Sequence, residues 1–279
     1  ADRADDDARA VSAERLEARP ATMTSLSPEI RFYRSGHGPA IVLLHCLGVD
    51  HHIWDETSRT LSDNHDLIRY DFPGHGDSEV PNGPYTIEDL SAQLLRALDA
   101  ANLRKVSVAG ISLGGLVAQH FAALHPERTD RLILIDTTAR YSDILRGMWA
   151  ERAATARSKG VTAMAGPLLD IWFTAPFVAK NPPPVRYVRD CFARAAGEGY
   201  ALACEALASA DLRPLVPRIT APTMVVCGTE DIPEFIEAAN WLHGSISGSR
   251  LEWLSPARHA SILEQPESFI ALCREFLTV

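Results

Sequence analysis

The run Gly110-Ile111-Ser112-Leu113-Gly114 sets a serine between two glycines, directly after the strand-like segment Lys105–Ala109 and before a helical run with Leu116, Val117, Phe121 and Leu124. A serine in a sharp strand-to-helix turn stands exposed at a helix N-terminus, where the dipole and the next backbone N–H face developing negative charge. That is the setting for nucleophilic attack on a carbonyl. The N–H of Leu113 is accordingly the first expected oxyanion donor.

A serine needs a base to take its proton, and the base needs an acid to fix its tautomer. Asp231 lies in Gly228-Thr229-Glu230-Asp231, a loop that follows the strand candidate Thr223–Cys227. It is the preferred acid on that placement, although Glu230, or Asp136 at the end of another strand, could take the role. His259 is one of ten histidines, and its position singles it out: it sits in Ala257-Arg258-His259-Ala260-Ser261, after the last strand candidate and before the final helix. The order Ser112, Asp231, His259 suits a strand-turn-helix nucleophile.

The second oxyanion donor is expected from His45-Cys46-Leu47-Gly48, with the Leu47 N–H as the choice. Cys46 has no helix start immediately after it and reads as a small buried thiol. His45, Asp50, His51 and His52 invite a metal-site reading, but position 47 is Leu, which breaks zinc-hydrolase spacing. A solvated helix start carrying His51 and His52 is the preferred reading, and neither metal nor organic cofactor is expected.

These residues must be positioned by a sheet. Strand candidates are Glu29–Arg34, Ile41–His45, Leu67–Asp71, Lys105–Ala109, Leu132–Asp136, Thr223–Cys227 and Arg250–Leu254. They alternate with amphipathic stretches, the signature of a mainly parallel sheet covered by helices. Thr86-Ile87-Glu88-Asp89 reads as a capping box opening one helix, and Pro266 opens the last. Between residues 140 and 212 strands disappear and aromatics gather among Ala and Arg, so this segment is expected to be a helical cap over the strand ends. The expected organisation is a polar tail over 1–22, an α/β core over 23–139 and 213–279, and the cap over 140–212.

The 279 residues carry 27 basic and 36 acidic side chains, a formal charge of −9, and 46 % are hydrophobic. A net acidic chain of this kind is a poor partner for nucleic acid or anionic membranes. No apolar stretch approaches the ~20 residues that cross a bilayer. The first 22 residues lack the apolar core of a secretory signal, and five scattered cysteines suggest reduced thiols, so a cytoplasmic location is expected. The charge is uneven: residues 140–212 hold nine basic and seven acidic side chains. Arginine suits carboxylates, so Arg140 and Arg152 are the first candidates to contact an acidic substrate group.

With these residues placed, the chain resembles the α/β-hydrolase family from about Glu29 to the C-terminus. Besides the serine turn, Asp71-Phe72-Pro73-Gly74-His75-Gly76-Asp77-Ser78 and the segment from His259 to Glu264-Gln265-Pro266 match the family's motifs. Within it the chain is most similar to 3-oxoadipate enol-lactonases, a likeness carried into the cap by Trp149, Trp172-Phe173-Thr174, Gly197-Glu198-Gly199-Tyr200 and Asp211-Leu212-Arg213. The resemblance implies an α/β fold with a mainly parallel eight-stranded sheet flanked by helices, and a serine hydrolase opening a small lactone or ester, with Trp149 and Trp172 beside the substrate. Two departures stand out: Leu44-His45-Cys46 where that group often has Ser-Asn before the oxyanion segment, and Ile171 where it often has Arg before Trp-Phe. They leave room for another lactone or ester. The same triad also serves carbon–carbon bond hydrolases and cofactor-free perhydrolases, and a slow-hydrolysing ligand receptor is the non-enzymatic alternative.

Overall fold

The computed structural model describes residues 32–278. The chain opens with strands β1 (Tyr33–Gly36) and β2 (Ala40–Leu44), a 3-10 turn over His51–Trp54, helix α1 (Asp55–Leu61) and strand β3 (Asp66–Arg69). Helix α2 (Ile87–Ala100), strand β4 (Val106–Ile111), helix α3 (Leu113–Leu124) and strand β5 (Thr129–Ile135) follow. Five helices then run without a strand: α4 (Asp143–Lys159), α5 (Ala165–Trp172), α6 (Ala175–Lys180), α7 (Pro183–Arg194) and α8 (Gly197–Ser209). Strand β6 (Thr223–Gly228), helix α9 (Pro233–Ser245), strand β7 (Arg250–Leu254) and helices α10 (Ser261–Glu264) and α11 (Pro266–Thr278) complete it.

The sheet order is β1-β3-β2-β4-β5-β6-β7, with β1 antiparallel to β3 and every other pair parallel. Ile41 to Leu44 and Leu132 to Ile135 are almost wholly buried, as continuous apolar runs must be when helices cover both faces. Seven strands stand among the described residues, one fewer than the eight expected. Residues 29–31 of the first strand candidate and the 1–22 tail lie outside them. Strand β4 runs to Ile111, two residues beyond its sequence boundary, and so carries the chain directly to Ser112.

Helix α2 has the expected capping box: Thr86 Oγ1 accepts from Asp89 N, and Asp89 Oδ2 accepts from Thr86 N. Helix α3 is buried on every side except at Leu124, which fits its almost uninterrupted apolar sequence. It stands against the middle of the sheet and holds the serine turn from behind. Among the five strandless helices, α4 is tied to α8 by Arg157, which bonds both Glu198 and Glu205. Two short links tie this segment to the His259 loop. The Trp172 carbonyl accepts from Ala260 N at 2.9 Å, and the buried Glu264 carboxylate accepts from Thr174 N, Thr174 Oγ1 and Arg258 N.

Candidate active site

Ser112 sits between the end of β4 and the start of α3 with φ 53° and ψ −110°, a backbone conformation that costs a non-glycine residue about 1–3 kcal/mol. The flanking glycines make that turn possible. A Cβ on Gly110 would fall on the Gly114 carbonyl, and one on Gly114 would fall on the Leu44 carbonyl. The G-x-S-x-G spacing is thus a packing requirement of the strand-helix junction as much as a chemical one.

Ser112 Oγ lies 3.0 Å from His259 Nε2, and His259 Nδ1 lies 2.9 Å from Asp231 Oδ2. All three side chains are buried. The second Asp231 oxygen accepts from Ile232 N at 2.7 Å, which fixes the carboxylate plane. Burial opposes a charge on the His259 ring, but the Asp231 carboxylate outweighs it and raises the pKa above the usual histidine value. Glu230 is exposed, and Asp136 turns its carboxylate to Gly228 and Ser261 instead of to the imidazole. Of the three acids considered, Asp231 is the one bonded to His259.

Leu113 opens helix α3 and Leu47 lies in the loop after β2. Among the described residues neither backbone N–H has a hydrogen-bond partner, so both are free to donate. The Leu47 loop is braced from below by His45, whose Nδ1 bonds the Cys46 carbonyl at 2.8 Å and whose Nε2 accepts from Phe72 N at 2.8 Å. Burial lowers the His45 pKa, in keeping with a neutral ring that uses both nitrogens. Cys46 is buried, and burial pushes its thiol well above the usual range.

Ser112 and His259 open into a cavity of about 110 Å³ lined by Leu47, Tyr141, Leu145, Met148, Trp149, Arg152, Ile171, Trp172, Tyr200, Ile232 and Phe235. Its wall is mostly apolar and, among the described residues, carries one arginine and no lysine. Arg152 packs over the Trp149 ring at 4.7 Å and, among the described residues, has no carboxylate partner. Among the described residues two buried donors in the wall also lack a hydrogen-bond partner: Tyr141 Oη and Trp149 Nε1. Trp172 and Phe235 pack against the His259 ring at centroid distances of 6.4 and 4.2 Å.

The structure thus gathers Trp149, Arg152 and Trp172 around the serine, and it places Arg140 elsewhere. The Arg140 guanidinium pairs with Asp143 and Asp211 and lines an outer groove. Tyr141, Leu145 and Phe235 were not anticipated. Phe235 had a usable signal, since it lies four residues past Asp231 at the start of α9. The metal-like cluster also differs from its expected form. His52 is exposed, but His51 is buried, bonded to Asp71 at 3.0 Å and stacked on Tyr33 at 3.5 Å. The helix start is therefore only half solvated.

The profile of the alpha/beta hydrolase fold matches residues 39–266. The chain belongs to the α/β-hydrolase family. It is similar to 3-oxoadipate enol-lactonase 2 of Acinetobacter baylyi, 34 % identical over 89 % of this chain and 92 % of that protein. 3-Oxoadipate enol-lactonase 1 of the same organism is 30 % identical over 86 % and 89 %. Among solved structures, the enol-lactonase from Burkholderia xenovorans matches this α/β-hydrolase with a TM-score of 0.86 at 36 % identity, over 90 % of this chain and 97 % of that one. A malate-bound thermophilic esterase from Thermogutta terrifontis has the same TM-score at 26 % identity, over 96 % and 98 %. No described helix of this hydrolase is long and apolar enough to cross a membrane.

Proposed function

We propose that this α/β-hydrolase opens a small lactone or ester through an acyl-enzyme on Ser112. The observation that carries the reading is the hydrogen-bonded row from Asp231 Oδ2 through His259 to Ser112 Oγ, at the edge of an apolar chamber. His259 takes the Ser112 proton as Oγ attacks the carbonyl, and the resulting imidazolium is stabilised by Asp231. The oxyanion lies between the N–H groups of Leu47 and Leu113, donors each worth about 10²–10³-fold in turnover. His259 then protonates the leaving oxygen, which in a lactone stays tethered within the acyl group. Water, deprotonated by the same imidazole, releases the acid.

The chamber favours a compact substrate with further acceptor oxygens. Arg152, Trp149 Nε1 and Tyr141 Oη can all donate, and leaving a buried donor unpaired costs about 1–3 kcal/mol. A lactone bearing a carboxylate satisfies them, in line with the enol-lactonase relatives. Ile171 lines the same wall, so Arg152 is placed to supply the cation that Ile171 does not. Five buried, unpaired thiols fit a cytoplasmic location. The caplike role of residues 140–212 belongs to the same proposal, since α4 and α5 supply six of the chamber's side chains.

The test is mass-spectrometric trapping of the acyl group after mixing with an enol-lactone and with p-nitrophenyl esters. The adduct is expected on Ser112, and Ser112→Ala should lose more than ~10⁴-fold in kcat while keeping its fold. A Ser112→Ala protein with wild-type turnover would overturn the assignment.

A further inference from the structure

The end of β5 carries a carboxylate that the mechanism above leaves idle. Asp136 is 1 % exposed and has φ 44°, a left-handed conformation that non-glycine residues rarely adopt. Its N–H donates to the Val226 carbonyl at 3.0 Å, which locks the residue to β6. Both side-chain oxygens are engaged. Oδ1 accepts from Gly228 N at 3.0 Å, and Oδ2 accepts from Ser261 N at 3.1 Å and Ser261 Oγ at 2.6 Å.

Those partners are not arbitrary. Gly228 begins the loop that presents Asp231, and Ser261 follows His259 by two residues. One buried carboxylate therefore joins the acid-bearing loop to the base-bearing loop beneath the row they form. We propose that Asp136 is a positioning residue for this site: its carboxylate holds the Asp231 and His259 loops in register, and its negative charge stabilises the imidazolium formed during turnover. The inference rests on the serine-hydrolase reading and adds to it a second acidic group that never touches the substrate.

The charge balance is tight. Burial and the neighbouring Asp231 charge push the Asp136 carboxyl up to about 7, against the pull of His259 and the Ser261 and Gly228 donors. The other titratable groups facing it are the Cys227 thiol on β6 and the Cys46 thiol from the loop after β2. Burial keeps both thiols neutral near pH 7, so the anions at issue are Asp136 and Asp231. Among the Asp136 partners, only the Ser261 hydroxyl can turn from donor to acceptor when the carboxyl takes a proton.

The test combines kinetics with an NMR titration of the His259 ring in wild type, Asp136→Asn and Ser261→Ala. Asparagine keeps the size, its oxygen can accept from Gly228 N and its amide can donate to Ser261 Oγ, but it removes the charge and gives up the bond from Ser261 N, which only an oxygen can accept. Asp136→Asn is expected to lower kcat by about tenfold, because small misplacements of a catalytic pair cost that much or more. KM should stay within about twofold, and the His259 pKa should fall by roughly half a unit or more. Ser261→Ala, which keeps the backbone bond, should shift the ring in the same direction by less. A folded Asp136→Asn protein with either the wild-type kcat or the wild-type His259 pKa would overturn the proposal. If that variant does not fold, an unchanged His259 pKa in Ser261→Ala would overturn it. The ring titration needs no substrate, so its result is separable from failure of Ser112 acylation, which would instead remove the hydrolase reading.

Discussion

The Arg152 guanidinium packs over the Trp149 ring, 4.7 Å from its centroid, and among the described residues it is the one arginine or lysine that lines the Ser112 chamber. The stack holds the planar group in place without neutralising it, so its charge remains available to a ligand. A charge-assisted bond to a substrate carboxylate is worth about 2 kcal/mol, or roughly thirtyfold in binding. Arg152→Ala is expected to raise KM by that factor for a carboxylate-bearing lactone, and to leave KM for p-nitrophenyl acetate within about threefold. Arg152→Lys should fall between, since it keeps the charge and loses the planar stack. Equal effects of Arg152→Ala on the charged and neutral substrates would remove the carboxylate contact.

The pH dependence follows from the other side of the chamber. With Asp231 beside it, His259 holds its proton above the ordinary histidine value, and only the neutral ring can act as base. Activity should therefore fall as pH is lowered, with the midpoint of kcat/KM above about 6.5. Asp231→Asn removes the charge that raises the ring, so its midpoint should move to lower pH while kcat drops by about 10⁴-fold. A rate profile that stays flat from pH 5 to 8 would count against His259 as the base.

Much of this arrangement is legible in the sequence for a physical reason. Strand-turn-helix junctions in a parallel sheet must put their chemistry at strand ends, so Ser112, Asp231 and His259 are marked by position after β4, β6 and β7. What the sequence could not order was the segment between β5 and β6. Helical periodicity says which face of α4 is apolar, yet the turn of α4 against α8 decides that Arg152 looks inward, and the bridge of Arg140 to Asp211 ahead of α4 decides that Arg140 does not. Arg140 and Arg152 are equivalent in composition, and only packing sends the first to Asp143 and Asp211 and the second to Trp149. Asp136 was legible as a strand-end acid, but its partner Ser261 is distant in sequence.

Two buried histidines set a limit on acid stability. Burial and its neighbour His45 lower His75 to about 4, while its Nδ1 bonds the Pro73 carbonyl at 3.1 Å. Burial likewise lowers His45. In the unfolded chain these rings take a proton near pH 6.5, so as the pH is lowered below 6.5, and for His75 down to about 4, the unfolded state binds more protons and stability is lost. For His75 alone the loss across that window is on the order of 3 kcal/mol. Urea unfolding at a series of pH values should show the slope, and His75→Gln should flatten it. An identical slope in wild type and variant would rule His75 out as the source.

The size of the chamber makes the last prediction. Tyr141, Leu145 and Phe235 line both the Ser112 cavity of about 110 Å³ and the outer groove that holds Arg140. The wall between the two is therefore one side chain thick. Leu145 is the cheapest part of it to remove, because Tyr141 and Phe235 also pack against Trp149 and His259. In the wild type a short acyl group is expected to fit the cavity and a long one to meet this wall, so kcat/KM should fall steeply from p-nitrophenyl acetate to octanoate. Leu145→Ala joins the cavities, and each methylene newly accommodated is worth about 1–3 kcal/mol of discrimination. The octanoate-to-acetate ratio should rise at least tenfold, while the variant loses about 2–5 kcal/mol of stability as buried leucines do. If Leu145→Ala left that ratio unchanged in a folded protein, long acyl chains would have to be excluded elsewhere, and Tyr141 and Phe235 would be the next side chains to shorten.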